Sequence, residues 1–186
     1  MKQQLITLAV AACCAWAGAA NAMTKDEYKA QKDRIEADYK AGKERCSGLK
    51  ANAKDICMSE VKGAENVARA ELEASYKPGA KAQEKVLIAK ADAAYDTARE
   101  KCDDLAGNAK DVCIKDAKAA HVSAKGAAKV SAAQAEGAHQ TADARKDAMA
   151  DTQEARYNAA VERCDAMAGQ AKDSCITDAK RRFGKT

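Results

Sequence analysis

The feature that most constrains this chain is a cysteine pair with ten residues between its members, which occurs three times, as CSGLKANAKDIC, CDDLAGNAKDVC and CDAMAGQAKDSC. Residues eleven positions apart in a continuous α-helix face the same way, but they lie about 16 Å apart along the helix axis. A disulfide needs α-carbons within roughly 7 Å of each other. Either the helix therefore breaks between the two cysteines, or each cysteine pairs with a different segment.

The residues between the cysteines favour a break. Gly107 suits the left-handed residue that ends a helix, and Asn108 suits the N-cap of the next helix, with Asp111 as an acidic residue in its first turn. Gln170 is a weaker cap in the third copy, and Gly48 lies earlier in the first copy, which allows a turn of different shape there. We predict three local disulfides, which are Cys46–Cys57, Cys102–Cys113 and Cys164–Cys175.

The composition favours helix with a weak core. The chain is rich in alanine and in charged residues (32%), has only 4% aromatic residues, and contains one proline. Such residues form helices readily but bury little apolar area. We predict an all-α fold of helical hairpins, each closed by a disulfide worth about 2–4 kcal/mol. The expected helices cover 24–47, 52–76, 80–105, 109–163 (a stretch that could be broken) and 170–182.

The first residues are typical of a targeting segment. A short basic start, MKQQ, precedes the apolar stretch LITLAVAACCAWAGAA, which ends in the A-x-A cleavage pattern. We predict a signal peptide over 1–22 that is cleaved after Ala22, export to an oxidising compartment, and no integral membrane segment in the mature chain. The alternative is a lipid anchor at Cys13, because residues 10–13 resemble a lipobox. Cleavage after Ala22 leaves six cysteines, an even number that favours disulfides in an exported chain.

The repeat extends beyond the cysteines. A tyrosine stands seven residues before each first cysteine, on the same helical face, and we predict that these tyrosines pack against the disulfides with their hydroxyls at the rim. They are Tyr39, Tyr95 and Tyr157. The predicted organisation is a signal peptide at 1–22, a hairpin at 23–76, a second hairpin unit at 77–118, a polar alanine-rich spacer at 119–146 that is mobile or exposed even where helical, and a third hairpin unit at 147–186.

The sequence shows no pattern of residues typical of catalysis or of a metal site. Zinc ligands usually come in C-x2–4-C or H-x3–5-H pairs, which are absent, and we interpret His121 and His139 as solvated surface residues. Basic and acidic residues, 32 and 28 in number, are interleaved without the basic block that nucleic acid requires. We predict a protein that is not an enzyme, with no catalytic residues, no cofactor, no metal ligands and no nucleic-acid partner.

The signal peptide, the helices rich in alanine, lysine and aspartate, and the repeated CDDLAGNAKDVC followed by IKDAK resemble a group of uncharacterised exported proteins of proteobacteria. Some of these are labelled TolA-like cell-envelope proteins. The resemblance covers nearly the whole mature chain, and the C-x10-C units are its specific part. It implies a periplasmic location and a helical fold, and it assigns no functional residues.

Three functional hypotheses follow from these patterns. The first is a non-enzymatic periplasmic protein with a structural or protein-interaction role in the cell envelope, whose partners are other envelope proteins or further copies of itself. The second is a thiol-based copper or zinc handling protein, since reduced thiolates bind Cu(I) well. The third is a periplasmic holdase chaperone, suggested by flexible basic helices.

Overall fold

The computed structural model describes residues 23–185, apart from the side chains of 138 and 139, and every regular element in this range is an α-helix. The helices are α1 (Lys25–Ser47), α2 (Ala51–Tyr76), α3 (Ala80–Cys102), α4 (Gly107–Glu136), α5 (Ala138–Cys164) and α6 (Gly169–Arg182). The predicted all-α fold is therefore confirmed. The predicted signal peptide, its cleavage after Ala22 and the alternative anchor at Cys13 lie outside the described residues.

The helix ends differ from the prediction at two places. The third helix ends at Cys102, three residues early, and the long stretch at 109–163 consists of two helices that meet at Gly137. The φ of Gly137 is +145°, a conformation that is open to glycine and strongly disfavoured for other residues. The predicted start of α1 at 24 is correct to within one residue, and Thr24 and Glu27 form a reciprocal capping box there.

The six helices form a chain of neighbours. Within residues 23–185, each helix packs only against the helix before it and the helix after it in the sequence. Because consecutive helices run antiparallel, the α1–α2, α3–α4 and α5–α6 turns all lie at one edge of this layer. We call this edge the turn row; it comprises residues 46–57, 102–113 and 164–175. A layer in which only neighbours touch resembles a repeat protein in its energetics, with each pair of helices stabilised locally.

Small residues bring the helices together. A β-carbon added to Gly63 of α2 would lie 2.7 Å from Cβ of Ala93 in α3, and one added to Gly126 of α4 would lie 2.8 Å from Cβ of Ala148 in α5. The segment at 119–146, predicted to lie in a helix but to serve as a mobile or exposed spacer, belongs to α4 and α5 and contributes buried residues such as Ala128. The expectation of exposure was wrong because alanine and glycine permit close backbone approach without large apolar side chains.

Candidate interaction surface

Each turn of the turn row is closed by the disulfide that the sequence predicted. The pairs Cys46–Cys57, Cys102–Cys113 and Cys164–Cys175 have Cα–Cα distances of 5.6, 5.7 and 5.7 Å. In every pair the first cysteine is fully buried. The three pairings confirm that the helix breaks between the two cysteines of each unit. Each disulfide joins cysteines that are eleven residues apart in the sequence.

The backbone of all three turns has the same conformation. The helix that follows the turn begins with a left-handed residue, at φ +48° for Ala51, +55° for Gly107 and +56° for Gly169. The residue before it is extended, with φ between −128° and −133°. Gly48 has an ordinary helical φ of −76°, so the expectation of a differently shaped first turn was wrong. In the first copy an alanine takes the conformation that glycine takes in the other two.

The asparagines of the first two turns bind the next unit rather than capping their own helix. The side-chain amide of Asn52 donates to the carbonyl oxygen of Glu100 at 2.7 Å and to Oδ1 of Asp104 at 2.8 Å. The amide of Asn108 donates to the carbonyl oxygen of Glu162 at 3.0 Å. These carbonyls lie in the last turns of α3 and α5, where each also accepts from the backbone N–H three residues later, at 3.1 Å.

The predicted N-cap role of Asn108 is therefore wrong. The helix starts at Gly107, and Ala106 occupies the N-cap without a side-chain hydrogen bond. Asp111 accordingly falls after the first turn. The two asparagines instead link each disulfide turn to the next, so the three turns form one continuous row.

The two ends of the row differ from its interior. Gln170, the third counterpart of the asparagines, is exposed and makes no contact with another unit within residues 23–185. At the opposite end the carbonyl of Glu44, equivalent to those of Glu100 and Glu162, accepts from the hydroxyl of Ser47 at 2.7 Å. At one end of the turn row Gln170 therefore replaces the asparagine, and at the other end a serine of the same unit binds the Glu44 carbonyl. The terminal units of repeat proteins commonly differ from the interior ones in this way.

Each turn exposes one large apolar side chain at the same repeat position. Leu49, Leu105 and Met167 are 42%, 45% and 47% exposed, and each backbone N–H donates to the carbonyl of the first cysteine. The exposed halves leave three equivalent apolar groups along the turn row.

The three predicted tyrosines occupy equivalent, half-buried positions behind the turns. The ring of Tyr39 lies 5.2 Å from the ammonium of Lys62, and the ring of Tyr95 lies 5.6 Å from that of Lys118, which is the equivalent lysine. Such contacts are favourable because a cation is attracted to the face of an aromatic ring. The Tyr157 ring instead meets Phe183 edge-on at 6.2 Å. The tyrosines thus join the two helices of each hairpin.

His121 is a packing residue, and its interpretation as a solvated surface residue was wrong. Its side chain is only 10% exposed and stacks on Tyr95 with ring centres 4.6 Å apart. Its Nε2 lies 2.6 Å from Oδ1 of Asp92. The side chain of His139, interpreted in the same way, lies outside the described part of the chain.

The position of His121 could have been found from the repeat. It stands eight residues after the second cysteine, as Glu65 and Phe183 do in the other copies. Phe183 also packs on the tyrosine of its own unit. Aligning the repeat beyond the second cysteine therefore predicts that all three residues face the preceding helix.

Glu65 is the charged member of this set and is buried. Its carboxylate accepts from Nζ of Lys62 at 2.8 Å and from Nε of Arg69 at 2.9 Å, and Arg69 also reaches Glu36. The hydrogen bond from Lys62 contributes most to lowering the pKa of Glu65, Arg69 adds to it, and burial opposes both. The carboxylate is therefore held in its charged form by paired cations.

Within residues 23–185 no group of three or more His, Cys, Asp or Glu side chains is arranged to hold a metal ion. None of the six helices has a stretch long and apolar enough to cross a membrane. Comparison of the chain with protein-family models, curated proteins and solved structures found no match.

Proposed function

We propose that this protein is a non-enzymatic, structural or protein-interaction module of the periplasm. Three disulfides within one chain indicate an oxidising, extracytoplasmic compartment. The capping box that starts α1 at Thr24 lies just after the proposed cleavage site, so removal of residues 1–22 would leave every described helix intact. The resemblance to exported envelope proteins supports the same compartment.

The observation that carries the interaction role is the turn row. It repeats one exposed apolar side chain three times at the same position, on turns held by disulfides and by the Asn52 and Asn108 amides. Holding several apolar groups at fixed spacing lowers the ordering cost of binding and allows a partner to engage more than one of them. A thiol-based copper or zinc role would require reduction of sulfurs that are paired here.

Export is tested by expressing the full chain in a proteobacterial host and fractionating the cells. We expect the mature protein in the periplasmic fraction, beginning at Met23, with no free thiols before reduction. A mature chain that begins at Cys13 would establish the lipid anchor instead. A protein that stays in the cytoplasm with reduced cysteines would contradict the proposal.

The interaction role is tested by photo-crosslinking in the exported protein. A photoreactive amino acid at position 105 should give a discrete adduct, and replacing Leu49 and Met167 with serine should reduce its yield. The matched control places the same amino acid at position 129, an exposed site on α4 away from the turns. Equal adducts at both positions, or an adduct that is indifferent to the two serines, would contradict a role for the turn row.

A further inference from the structure

A second surface lies away from the turn row, where α4 and α5 form an open groove of about 580 Å³ that reaches Phe183 at the end of α6. Its apolar lining includes Ala127, Val130 and Ala148. Met149 projects into it and is 72% exposed, the largest exposure of the large apolar side chains recorded for the described residues. The backbones of α4 and α5 approach each other closely at Gly126 and Ala148.

The charges around this groove are unbalanced. Arg145 and Arg156 line it, and no carboxylate does. The other polar grooves of the layer mix both signs, as where Asp151 and Glu154 face Lys115 and Lys118. Among residues 23–185 the recorded ion pairs leave Arg145 and Arg156 without a carboxylate partner. The groove therefore suits an apolar partner that carries negative charge.

The separation of the two arginines specifies the partner further. They stand eleven residues apart on α5, which places them on nearly the same side of the helix and about 16 Å apart along it. One anionic headgroup cannot reach both at that separation. A helix with two carboxylates eleven positions apart matches the spacing, and its apolar residues between them would lie over Met149.

We propose that the groove binds an amphipathic, acidic helix of a partner protein, laid along α5 with a carboxylate at each arginine. This proposal rests on the proposed function and names a partner class for it. Helix-in-groove binding of this kind uses apolar anchors at intervals of three and four residues. Pairing of α5 with the α5 of a second copy is disfavoured, because it would bring Arg145 and Arg156 towards the same cations.

The proposal is tested with two synthetic helical peptides of about 18 residues, whose leucines follow the anchor spacing of helix-in-groove partners. One carries glutamates eleven positions apart and the other carries lysines at the same two positions. The glutamate peptide would form two ion pairs with the arginines, whereas the lysine peptide would make two repulsive contacts with them. The mature, oxidised protein should therefore bind the glutamate peptide about tenfold more tightly than the lysine peptide. Isothermal titration calorimetry measures both affinities.

Charge reversal provides the decisive variant. The double variant Arg145→Glu/Arg156→Glu should prefer the lysine peptide, and Met149→Gln should weaken both peptides. The matched control, Arg34→Glu/Lys40→Glu on the exposed side of α1, makes the same change in net charge and should keep the original preference. Far-ultraviolet circular dichroism checks that each variant stays helical.

Each other result overturns the proposal. Equal affinity for both peptides, or a preference that does not reverse with the arginines, would contradict an acidic helix as the partner. Binding of laurate at Met149 without binding of the glutamate peptide would identify an acyl ligand instead. Crosslinking at position 105 does not depend on this groove. If the crosslink forms while the peptide experiments fail, the proposed function stands and only the acidic helix is rejected as the partner of the groove.

Discussion

Ala51 is the one non-glycine residue in a left-handed conformation among residues 23–185, and replacing it with glycine should stabilise the protein. Its φ of +48° matches the values of +55° and +56° at Gly107 and Gly169. The alanine side chain is exposed, so its removal costs no packing. The same left-handed position is therefore occupied by alanine in the first turn and by glycine in the other two.

The size of the effect follows from two opposing contributions. An L-residue with a β-carbon costs about 1–2 kcal/mol in the left-handed region. Glycine loses about 0.5–1 kcal/mol through its greater freedom in the unfolded chain. The net gain for Ala51→Gly is therefore about 0.5–1 kcal/mol, which raises the melting temperature by about 1–4 °C in a protein of this length.

The reciprocal changes serve as matched controls. A β-carbon added to Gly107 or Gly169 would meet no heavy atom within 4 Å, so Gly107→Ala and Gly169→Ala test the backbone alone and should each lower stability by the same amount. Thermal unfolding with the disulfides intact, followed by circular dichroism, gives the melting temperatures. Because the array can open unit by unit, hydrogen exchange should place the gain in α1 and α2 for Ala51→Gly. Unchanged or lowered stability in Ala51→Gly would refute the shared-turn argument.

Three further predictions concern the layer. Gly126→Ala should lower the melting temperature despite the higher helix propensity of alanine, because its β-carbon would meet Ala148, and adding Ala148→Gly should restore much of the loss. Asn108→Ala should cost about 0.5–1.5 kcal/mol and speed hydrogen exchange at the end of α5, because the Glu162 carbonyl loses one of its two donors and keeps only the backbone N–H of Asp165. Folding lowers the pKa of the Glu65 carboxyl below its usual value of 4.5. The carboxylate therefore stabilises the folded protein above about pH 4.5, and this stabilisation is lost as the pH falls through the lower pKa of the folded state. Glu65→Gln should accordingly reduce the loss of stability below about pH 4.5.

Each of these changes has a control within the chain. Ala148→Gly alone should destabilise, so a double variant no better than the sum of its parts would contradict the close contact. Gln170→Ala, at the end of the row, should change stability little, and an effect equal to that of Asn108→Ala would argue against bridging between units. Glu71→Gln is the matched control, because it makes the same chemical change at an exposed carboxylate that pairs only with Lys90 among the ion pairs of residues 23–185.

The fold was largely predictable because its constraints are local. The axial distance between the cysteines required a break if they pair with each other, and the sequence between them supplied turn-forming residues. The exact position of the break at Gly137, the end of α3 at Cys102 and the burial of small residues within 119–146 were not predicted. The alanine-rich stretch was predicted to be a spacer because it contains few large apolar side chains. Its small residues pack instead by letting the helix backbones approach each other closely.

The contacts between units could not be read from local rules. Asn108 fits an N-cap by residue type, and nothing near it in sequence indicates that Glu162 supplies a carbonyl within reach. His121 looked solvated because its neighbours in sequence are small and polar, whereas its ring partner, Tyr95, lies on another helix. Comparing the three copies position by position carries more information here than any one copy does.

The placement of the disulfides bears on what the layer can do. All three lie at one edge, whereas the opposite edge of the first hairpin is held by the Tyr28–Tyr76 ring pair at 4.6 Å and a hydrogen bond from Tyr28 to Glu73. Because only neighbouring helices touch, opening one hairpin at that opposite edge costs only its own contacts. The cross-linked turns and their asparagine bridges would keep their spacing while the helix ends separate. A row that stays ordered in this way suits a surface that presents repeated apolar groups to a partner.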